Sequence, residues 1–344
     1  AGMSQIALAG DSVYVNTSSL RYRTSAQIKD NNIAGNLSYG QKLERVGTSG
    51  QWTMILLNGK KYYVSSAYVT SKKPASAGAV QTTSQTAAGA QTSGGTAIEL
   101  SSNYKYANYS KINSGTATLY RSTASNKKNK VVCVNAGHGT NGGGSVKTQG
   151  HPDGSAKVTG GTTGAGATSA VAVSSGMTFA DGTAESKVTL AMAKVLKTKL
   201  LNAGYDVLMI RESDDVQLDN IARTVIANNN ADCHIALHWD STSSNKGAFF
   251  MSVPSNATYR AMEPVASHWK QHNQLGESLI SGLKSAGVKI YSKGSMEMDL
   301  TQTSYSTIPS VDIELGDKAS DHSGATLETL ANGLLAGVNT FFGQ

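Results

Sequence analysis

The sequence of 344 residues carries a formal net charge of +7 at pH 7, with 39% hydrophobic and 15% charged residues. A chain of this length exceeds one compact core of ordinary size, so we expect two domains. The basic balance favours an acidic partner, such as a phosphate-rich or carboxylate-rich polymer. The basic residues are scattered, without the blocks and interleaved aromatic residues that indicate nucleic-acid recognition. We therefore expect no nucleic-acid partner.

The sequence predicts neither a membrane span nor a disulfide framework. No stretch is apolar over the length needed to cross a bilayer. The two cysteines, Cys133 and Cys233, each lie in an apolar strand-like run, so we expect small buried hydrophobic side chains. The opening Ala1-Gly2-Met3 is typical of a cloning remnant, and we assign residues 1–10 to such a remnant or to a leader. We expect that a natural signal peptide has been removed.

The segment from residue 11 to residue 72 predicts a small all-β domain. It contains short strand-like runs separated by turn signals, and Asn58-Gly59 is a strong hairpin turn. No helical period of useful length occurs there. The predicted strands are Ser12 to Val15, Ser19 to Arg23, Lys42 to Val46, Trp52 to Leu57 and Lys61 to Val64. We interpret the segment as a small β-barrel or meander.

Several stretches of this segment resemble a bacterial SH3 domain. They are Ser19-Leu20-Arg21-Tyr22-Arg23, Gly40, Trp52, Asn58-Gly59-Lys60-Lys61-Tyr62-Tyr63-Val64 and Ala67-Tyr68-Val69. Members of that family often bind cell-wall peptides or glycans, and the resemblance implies such a ligand. We expect Trp52 in the core. The tyrosines either fill this small core or offer stacking faces to a ligand.

Residues 73–129 are predicted to connect two domains. From about Ser71 to Leu100 the chain is rich in Ser, Thr, Ala, Gly and Gln, with almost no large apolar residue. Such a stretch cannot bury enough apolar surface to fold, which indicates a flexible linker. Residues 101–129 show no clear period, and we expect a lead-in that packs on the second domain. We assign that second domain to residues 130–344.

The second domain opens on Val131-Val132-Cys133-Val134-Asn135-Ala136-Gly137-His138-Gly139. The apolar run predicts a strand buried on both faces, and the glycines allow a sharp turn at its end. Further strands are predicted at Asp206 to Ile210, Asp232 to Trp239 and Ser310 to Gly316, with helical periods between them. The alternation predicts an α/β fold, with a mostly parallel twisted sheet and helices on both faces.

Two histidines and two glutamates are predicted to meet at one rim of this sheet. His138, His238 and Glu314 each end a strand, and Glu185 lies in the first turn of a helix. Taken singly, His138 fits a surface turn equally well, and Glu185 fits the helix dipole. Together, two histidines and a glutamate suit Zn²⁺ and leave a fourth position open for water. A carboxylate that stays off the metal can act as a base, and Glu314 is our candidate.

From about residue 130 to residue 342, the segments resemble the zinc-dependent N-acetylmuramoyl-L-alanine amidases of the Amidase_3 type. The matching residues are Ala136-Gly137-His138-Gly139, Glu185, Arg211, the set Leu218, Arg223, Ala227 and Asn228, then His238 and Glu314-Leu315-Gly316. The resemblance implies Zn²⁺ on His138, Glu185 and His238, with Glu314 as general base. It also implies cleavage of the amide between the lactyl group of N-acetylmuramic acid and L-alanine of the stem peptide.

The chain departs from that family pattern in several places. Trp239-Asp240 follows the second histidine where a small residue and asparagine are common, which predicts a bulkier and more acidic site. Residues 140–183 form a longer loop than usual, which is typical of functional or mobile segments, and we expect its His151 to be solvated. Arg211 and Asp240 are candidate substrate contacts. The alternative for Arg211 is a salt bridge that braces the loop.

We therefore predict a secreted or cell-wall peptidoglycan hydrolase of the autolysin kind, a zinc amidase with a wall-binding SH3-like domain. Its partners would be the glycan strand and the stem peptide. Two alternatives stay open. One is a non-catalytic wall-binding or adhesive protein whose metal is only structural, and the other is a zinc peptidase that cuts within the stem peptide.

Overall fold

The computed structural model describes residues 10–17, 19–73, 92 and 94–344. Residues 1–9 of the predicted remnant or leader, and residues 74–91 and 93 of the predicted linker, lie outside the described residues. The chain divides into two compact units. The first contains Ala1–Gly89 with the short segments Thr178–Thr183 and Asp321–Thr326, and the second contains Ala90–Met177, Ala184–Ser320 and Leu327–Gln344.

The first unit contains a single antiparallel sheet among its described residues. Its strands are β1 (Asp11–Val15), β2 (Ser19–Arg23), β3 (Ile33–Ser38), β4 (Lys42–Ser49), β5 (Trp52–Leu57), β6 (Lys60–Ser65) and β7 (Val69–Thr70). They lie in the order β3-β2-β6-β5-β4-β1-β7. Asn58 and Gly59, with φ of 51° and 76°, join β5 to β6, as a two-residue hairpin turn requires. The predicted hairpin is confirmed.

The core of the first unit is small and lies on one face of its strands. Val15, Ile55 and Val64 are fully buried in it. Trp52 is partly exposed, so its predicted core position is wrong, because the alternation along β5 turns Thr53 and Ile55 inward instead. The tyrosines Tyr22 and Tyr62 pack against the core with ring centroids 4.8 Å apart.

The second unit alternates strands and helices after an initial all-β stretch. Its strands are β8 (Thr96–Ile98), β9 (Ala117–Tyr120), β10 (Val131–Ala136), β11 (Lys147–Gln149), β12 (Ser169–Val171), β13 (Asp206–Met209), β14 (Cys233–Asp240), β15 (Ala248–Ser252), β16 (Ile290–Glu297) and β17 (Ser310–Asp317). Its helices are α1 (Glu185–Asn202), α2 (Asn220–Asn230), α3 (Ala257–Ala261), α4 (Val265–Ser285), α5 (Thr301–Tyr305) and α6 (Gly324–Phe342). In the described part of the chain, no helix combines the length and hydropathy that crossing a bilayer demands.

The large sheet of this unit is mixed, so the prediction of a mostly parallel sheet is only partly confirmed. Its eight strands lie in the order β16-β15-β17-β14-β10-β13-β9-β8. The central strands β13, β10, β14 and β17 are parallel, as predicted. Strands β8 and β9 add an antiparallel edge, and β15 is antiparallel to β17. Strand β8 lies within the stretch predicted as a flexible linker, so that prediction is wrong for Thr96–Ile98, which pair with β9. The predicted lead-in at residues 101–129 supplies β9.

The central strands are buried because their sequences are apolar on both faces. Val132, Cys133 and Val134 have no exposed surface, and Cys133 packs with Leu208 against Ile226 of α2. The parallel arrangement brings the carboxyl ends of the four central strands to one edge of the sheet. That edge carries the histidines and the glutamate of the predicted site.

Helices α4 and α6 approach each other through glycines. A Cβ added to Gly282 would lie 2.2 Å from the carbonyl oxygen of Gly333 and 2.5 Å from the amide nitrogen of Gly337. Both opposing atoms belong to the backbone, so they cannot turn aside as a flexible side chain can.

We expect Gly282→Ala to lower the free energy of unfolding by about 1–3 kcal/mol, because the added methyl group overpacks this crossing. Gly164→Ala is the matched control, since its new Cβ would meet no atom within 4 Å. Urea unfolding followed by circular dichroism measures both variants. Coincident unfolding curves for Gly282→Ala and the parent chain would contradict the close approach of the two helices.

Candidate metal centre

The carboxyl edge of the central strands places all four predicted site residues in one cavity. His138 lies two residues beyond the end of β10, and His238 and Glu314 are register partners in the parallel pair β14 and β17. Glu185 is the first residue of α1. All four side chains line the same cavity of about 490 Å³.

Three of these side chains converge on one point. The distance from Glu185 Oε2 is 2.9 Å to His138 Nε2 and 3.3 Å to His238 Nδ1. The two imidazole nitrogens, His138 Nε2 and His238 Nδ1, lie 3.1 Å apart. Donors about 2.0–2.1 Å from a tetrahedral zinc ion would lie roughly 3.3 Å from one another. The residues present therefore fit a small tetrahedral cation.

The orientation of His138 supports this interpretation. Its Nδ1 lies 2.8 Å from the carbonyl oxygen of Ser174, which can only accept a hydrogen bond. Nδ1 must therefore carry the proton, and in the neutral ring Nε2 presents a lone pair to the point of convergence.

Glu185 is held by backbone amides as well as by the two imidazoles. The amide of Met177 donates to Oε1 at 3.0 Å, and the amide of Trp239 donates to Oε2 at 3.0 Å. Burial alone would raise the pKa of this carboxyl, but His138 and His238 outweigh burial and lower the pKa far below its usual range. The carboxylate is therefore charged and has a fixed direction.

His238 also faces carboxylates on its other side. Its Nε2 lies 3.5 Å from Asp312 Oδ2, and His238, Asp312 and Glu314 form a second group whose ligand atoms lie within 4.8 Å of one another. Burial disfavours the charged ring, yet the carboxylates of Asp312, Glu185 and Glu314 raise the pKa of His238 to about 10.

Glu314 has the environment of a proton acceptor that can later act as a donor. The residue is 7% exposed, and Oε2 of its side chain has no hydrogen-bond partner among the described residues. Burial and the neighbouring Asp312 raise the pKa of Glu314 well above its usual range. The raised pKa lets the side chain hold a proton once it has accepted one.

Two buried arginines fix the turn that carries His138. Arg211 donates to the carbonyl oxygens of Ala136 and Gly137, both at 3.0 Å. Arg223 donates to the carbonyl oxygens of His138 at 2.8 Å and Ala136 at 3.2 Å. His138 itself has a φ of 66°, a left-handed conformation that non-glycine residues adopt rarely. The carbonyl contacts hold this uncommon backbone in place.

The predicted substrate contacts differ in their surroundings. Arg211 is 3% exposed and its donors are committed to carbonyl oxygens, so the geometry supports bracing by hydrogen bonds rather than a substrate contact or a salt bridge. Asp240 lines the cavity, but Lys246 lies 2.7 Å from it. Burial raises the pKa of Asp240, but the hydrogen bonds from Lys246 and Thr242 together outweigh burial and lower it. The predicted acidic character at this position is therefore offset by a lysine.

The long loop at residues 140–183 supports the centre from its own backbone. Its residues Ser174 and Met177 bind His138 and Glu185, as described above. His151 is 1% exposed and lies 2.7 Å from the carboxylate of Asp299, so the expectation that it is solvated is wrong. Lys157 also donates to the carbonyl oxygen of Asp299, at 2.6 Å. These contacts attach the loop to the segment after β16.

Sequence reasoning missed Asp312 as a site residue. The signal was present in β17, where two acidic residues, Asp312 and Glu314, stand two positions apart in an otherwise apolar strand. Residues two apart on a strand share one face. The sequence alone did not show that this face meets His238.

A mixed α/β unit with a His, Glu, His group and a further acidic side chain defines a candidate metal-dependent hydrolase. Residues 132–334 match the family described as N-acetylmuramoyl-L-alanine amidase. The chain belongs to this family of peptidoglycan amidases. No curated protein matches the sequence.

One solved amidase structure shares a fold with this chain at low sequence identity, and a second is reported beside it. The N-acetylmuramyl-L-alanine amidase Ami1 from Mycobacterium smegmatis is 18% identical, with a TM-score of 0.51, over 64% of this chain and 99% of that chain. The apo form of Ami1 from Mycobacterium abscessus is 20% identical, with a TM-score of 0.48, over 62% of this chain and 98% of that chain. The similarity to Ami1 from Mycobacterium smegmatis supports the fold of this chain and nothing about its function.

We expect Gly137→Ala to abolish metal retention. A Cβ at this position would lie 2.3–2.7 Å from three ring atoms of His238, so the imidazole would have to leave the point of convergence. Gly144→Ala is the control, because its Cβ would meet no atom within 4 Å. Zinc per chain after dialysis measures the effect. Equal zinc contents in the Gly137→Ala variant and the parent would contradict the described position of the ring.

Proposed function

We propose that the chain is a zinc-dependent amidase in which His138, Glu185 and His238 hold Zn²⁺ and Glu314 is the general base. The observation that carries the proposal is the convergence of two imidazole nitrogens and one buried carboxylate oxygen at separations of 2.9–3.3 Å. When bound, zinc would polarise the scissile carbonyl and lower the pKa of a water molecule. The residues around the zinc site would accept and donate the protons of the reaction.

Glu314 would take the proton from the attacking water. Its Oε2 has no hydrogen-bond partner among the described residues, and its pKa is raised by burial and by Asp312. A carboxyl with a raised pKa can hold that proton and pass it to the leaving amine. The register partnership of His238 and Glu314 supports this role, because it fixes the base beside the proposed metal ligands.

The substrate bond that fits the family is the amide between the lactyl group of N-acetylmuramic acid and L-alanine of the stem peptide. The cavity of about 490 Å³ that the four site residues line would receive the groups on both sides of that bond. Trp239 and Asp240 line it next to His238. They would shape the contact with the substrate.

We further propose that the first unit is an SH3-like wall-binding module and that the protein acts at the cell wall outside the cell. The antiparallel sheet of seven strands supports this, as does the partly exposed Trp52. Peptidoglycan would then be the partner of both units. A basic net charge of +7 suits a polymer that carries carboxylates.

End-group analysis of purified sacculi tests the function. An amidase frees the amine of L-alanine and leaves muramic acid without its peptide, so we expect new L-alanine amino termini in proportion to the peptide released. New amino termini at other residues would instead favour a zinc peptidase that cuts within the stem peptide. Zinc content without any release would favour a wall-binding protein whose metal is structural.

Replacing the proposed base should separate catalysis from metal binding. We expect Glu314→Gln to retain zinc but to lower turnover about a hundredfold or more, because the amide cannot accept the proton from water. Zinc analysis and the release of stem peptide, measured on one preparation, check both parts. A Glu314→Gln variant with parental turnover would remove Glu314 from the base role.

A further inference from the structure

Strand β17 directs two carboxylates, not one, toward the proposed centre. In the parallel pair with β14, Asp312 is the register partner of Ala236, and Glu314 is the register partner of His238. Because residues two apart share a face, Asp312 lies diagonally across from His238 on the side that Glu314 occupies. The structure confirms this proximity, with 3.5 Å between Asp312 Oδ2 and His238 Nε2.

The two nitrogens of His238 face different partners. Nδ1 faces His138 Nε2 at 3.1 Å and Glu185 Oε2 at 3.3 Å, while Nε2 faces Asp312. A neutral imidazole carries one proton, and its place decides which nitrogen offers a lone pair. A carboxylate beside Nε2 favours the proton there, since a carboxylate can only accept. Nδ1 is then free to bind a cation.

We propose that Asp312 is a positioning residue that fixes the tautomer and the ring direction of His238 for metal binding. This inference rests on the proposed zinc function. The other histidine has an equivalent support, because Nδ1 of His138 lies 2.8 Å from the carbonyl oxygen of Ser174. Asp312 offers a carboxylate, whereas the carbonyl group of Ser174 is neutral. The negative charge beside Nε2 makes the His238 ring a stronger electron donor to the metal than the His138 ring.

Packing does not account for an aspartate at this position. Its side chain is 13% exposed, and Oδ1 has no hydrogen-bond partner among the described residues. A buried carboxylate with an unsatisfied oxygen costs stability that an apolar side chain of similar volume would not cost. The contact with His238 is the interaction that offsets this cost.

Zinc affinity of the full chain tests the inference. Competition with a chromophoric chelator gives the dissociation constant of the parent and of the variants Asp312→Asn and Asp312→Leu. We expect a loss of about 10–100-fold for Asp312→Leu. Asp312→Asn keeps an acceptor without the charge, so its loss should be smaller. The cobalt-substituted Asp312→Leu protein should show a shifted visible spectrum, because the ring no longer holds its direction.

Two control variants exclude simpler causes. Asp240→Asn removes a carboxylate that lines the same cavity but is paired with Lys246, and it should keep the zinc affinity of the parent within about twofold. Glu314→Gln should also keep the zinc affinity of the parent chain. The metal-free Asp312→Leu variant should unfold at about the parental temperature, because the burial cost that it removes and the contact with His238 that it loses offset each other.

The outcomes separate this inference from the proposed function. A parent chain that binds no zinc would overturn the proposed function. A parent chain that binds zinc, together with Asp312 variants of equal affinity and unchanged cobalt spectrum, would overturn the positioning role alone. Equal losses in Asp312→Asn and Glu314→Gln, with two zinc ions per parent chain, would make Asp312 a ligand and also overturn it.

Discussion

The buried charge of Glu185 constrains the rest of the site. Its side chain is 4% exposed and lies between two imidazole nitrogens at 2.9 and 3.3 Å. A carboxylate at that depth is stable only beside positive charge, which protons on the rings or a shared cation can supply. Strands β10 and β14 must therefore end where α1 begins. The parallel centre of the sheet meets this condition because it brings the strand ends to one edge.

Two buried guanidinium groups, those of Arg211 and Arg223, hold the turn after β10. Burial lowers the pKa of Arg211 to about 10 and that of Arg223 to about 9, so both guanidinium groups remain charged near neutral pH. Their donors take up the carbonyl oxygens of residues 136–138. Together, these charge-assisted hydrogen bonds can hold His138 at its positive φ. The arginines thus act on the centre through the backbone, which a motif match alone does not reveal.

The predictable parts of this protein are those encoded within a few residues. Apolar runs followed by Gly-flanked or terminal histidines identified β10 and β14, and with them the candidate ligands. Long-range contacts were not predictable. Strand β9 has only four residues and no clear pattern, and its place depends on pairing with β13. The burial of His151 depends on Asp299, a residue 148 positions later. Likewise, Trp52 was assigned by residue type, whereas its exposure follows from the alternation of β5.

The carboxylates around the cavity divide into two classes with different consequences. Asp240 is paired with Lys246 and adds little net charge to the cavity. Glu185, Asp312 and Glu314 have the imidazoles of His138 and His238 as neighbours instead. With one divalent cation bound as proposed, these three carboxylates would keep an excess of one negative charge. That excess would favour the uptake of one proton, and Glu314, with its raised pKa and unsatisfied oxygen, is the group best placed to receive it from the attacking water. The same charge balance that admits the metal would then also prepare the base for its second task, the return of a proton to the leaving amine.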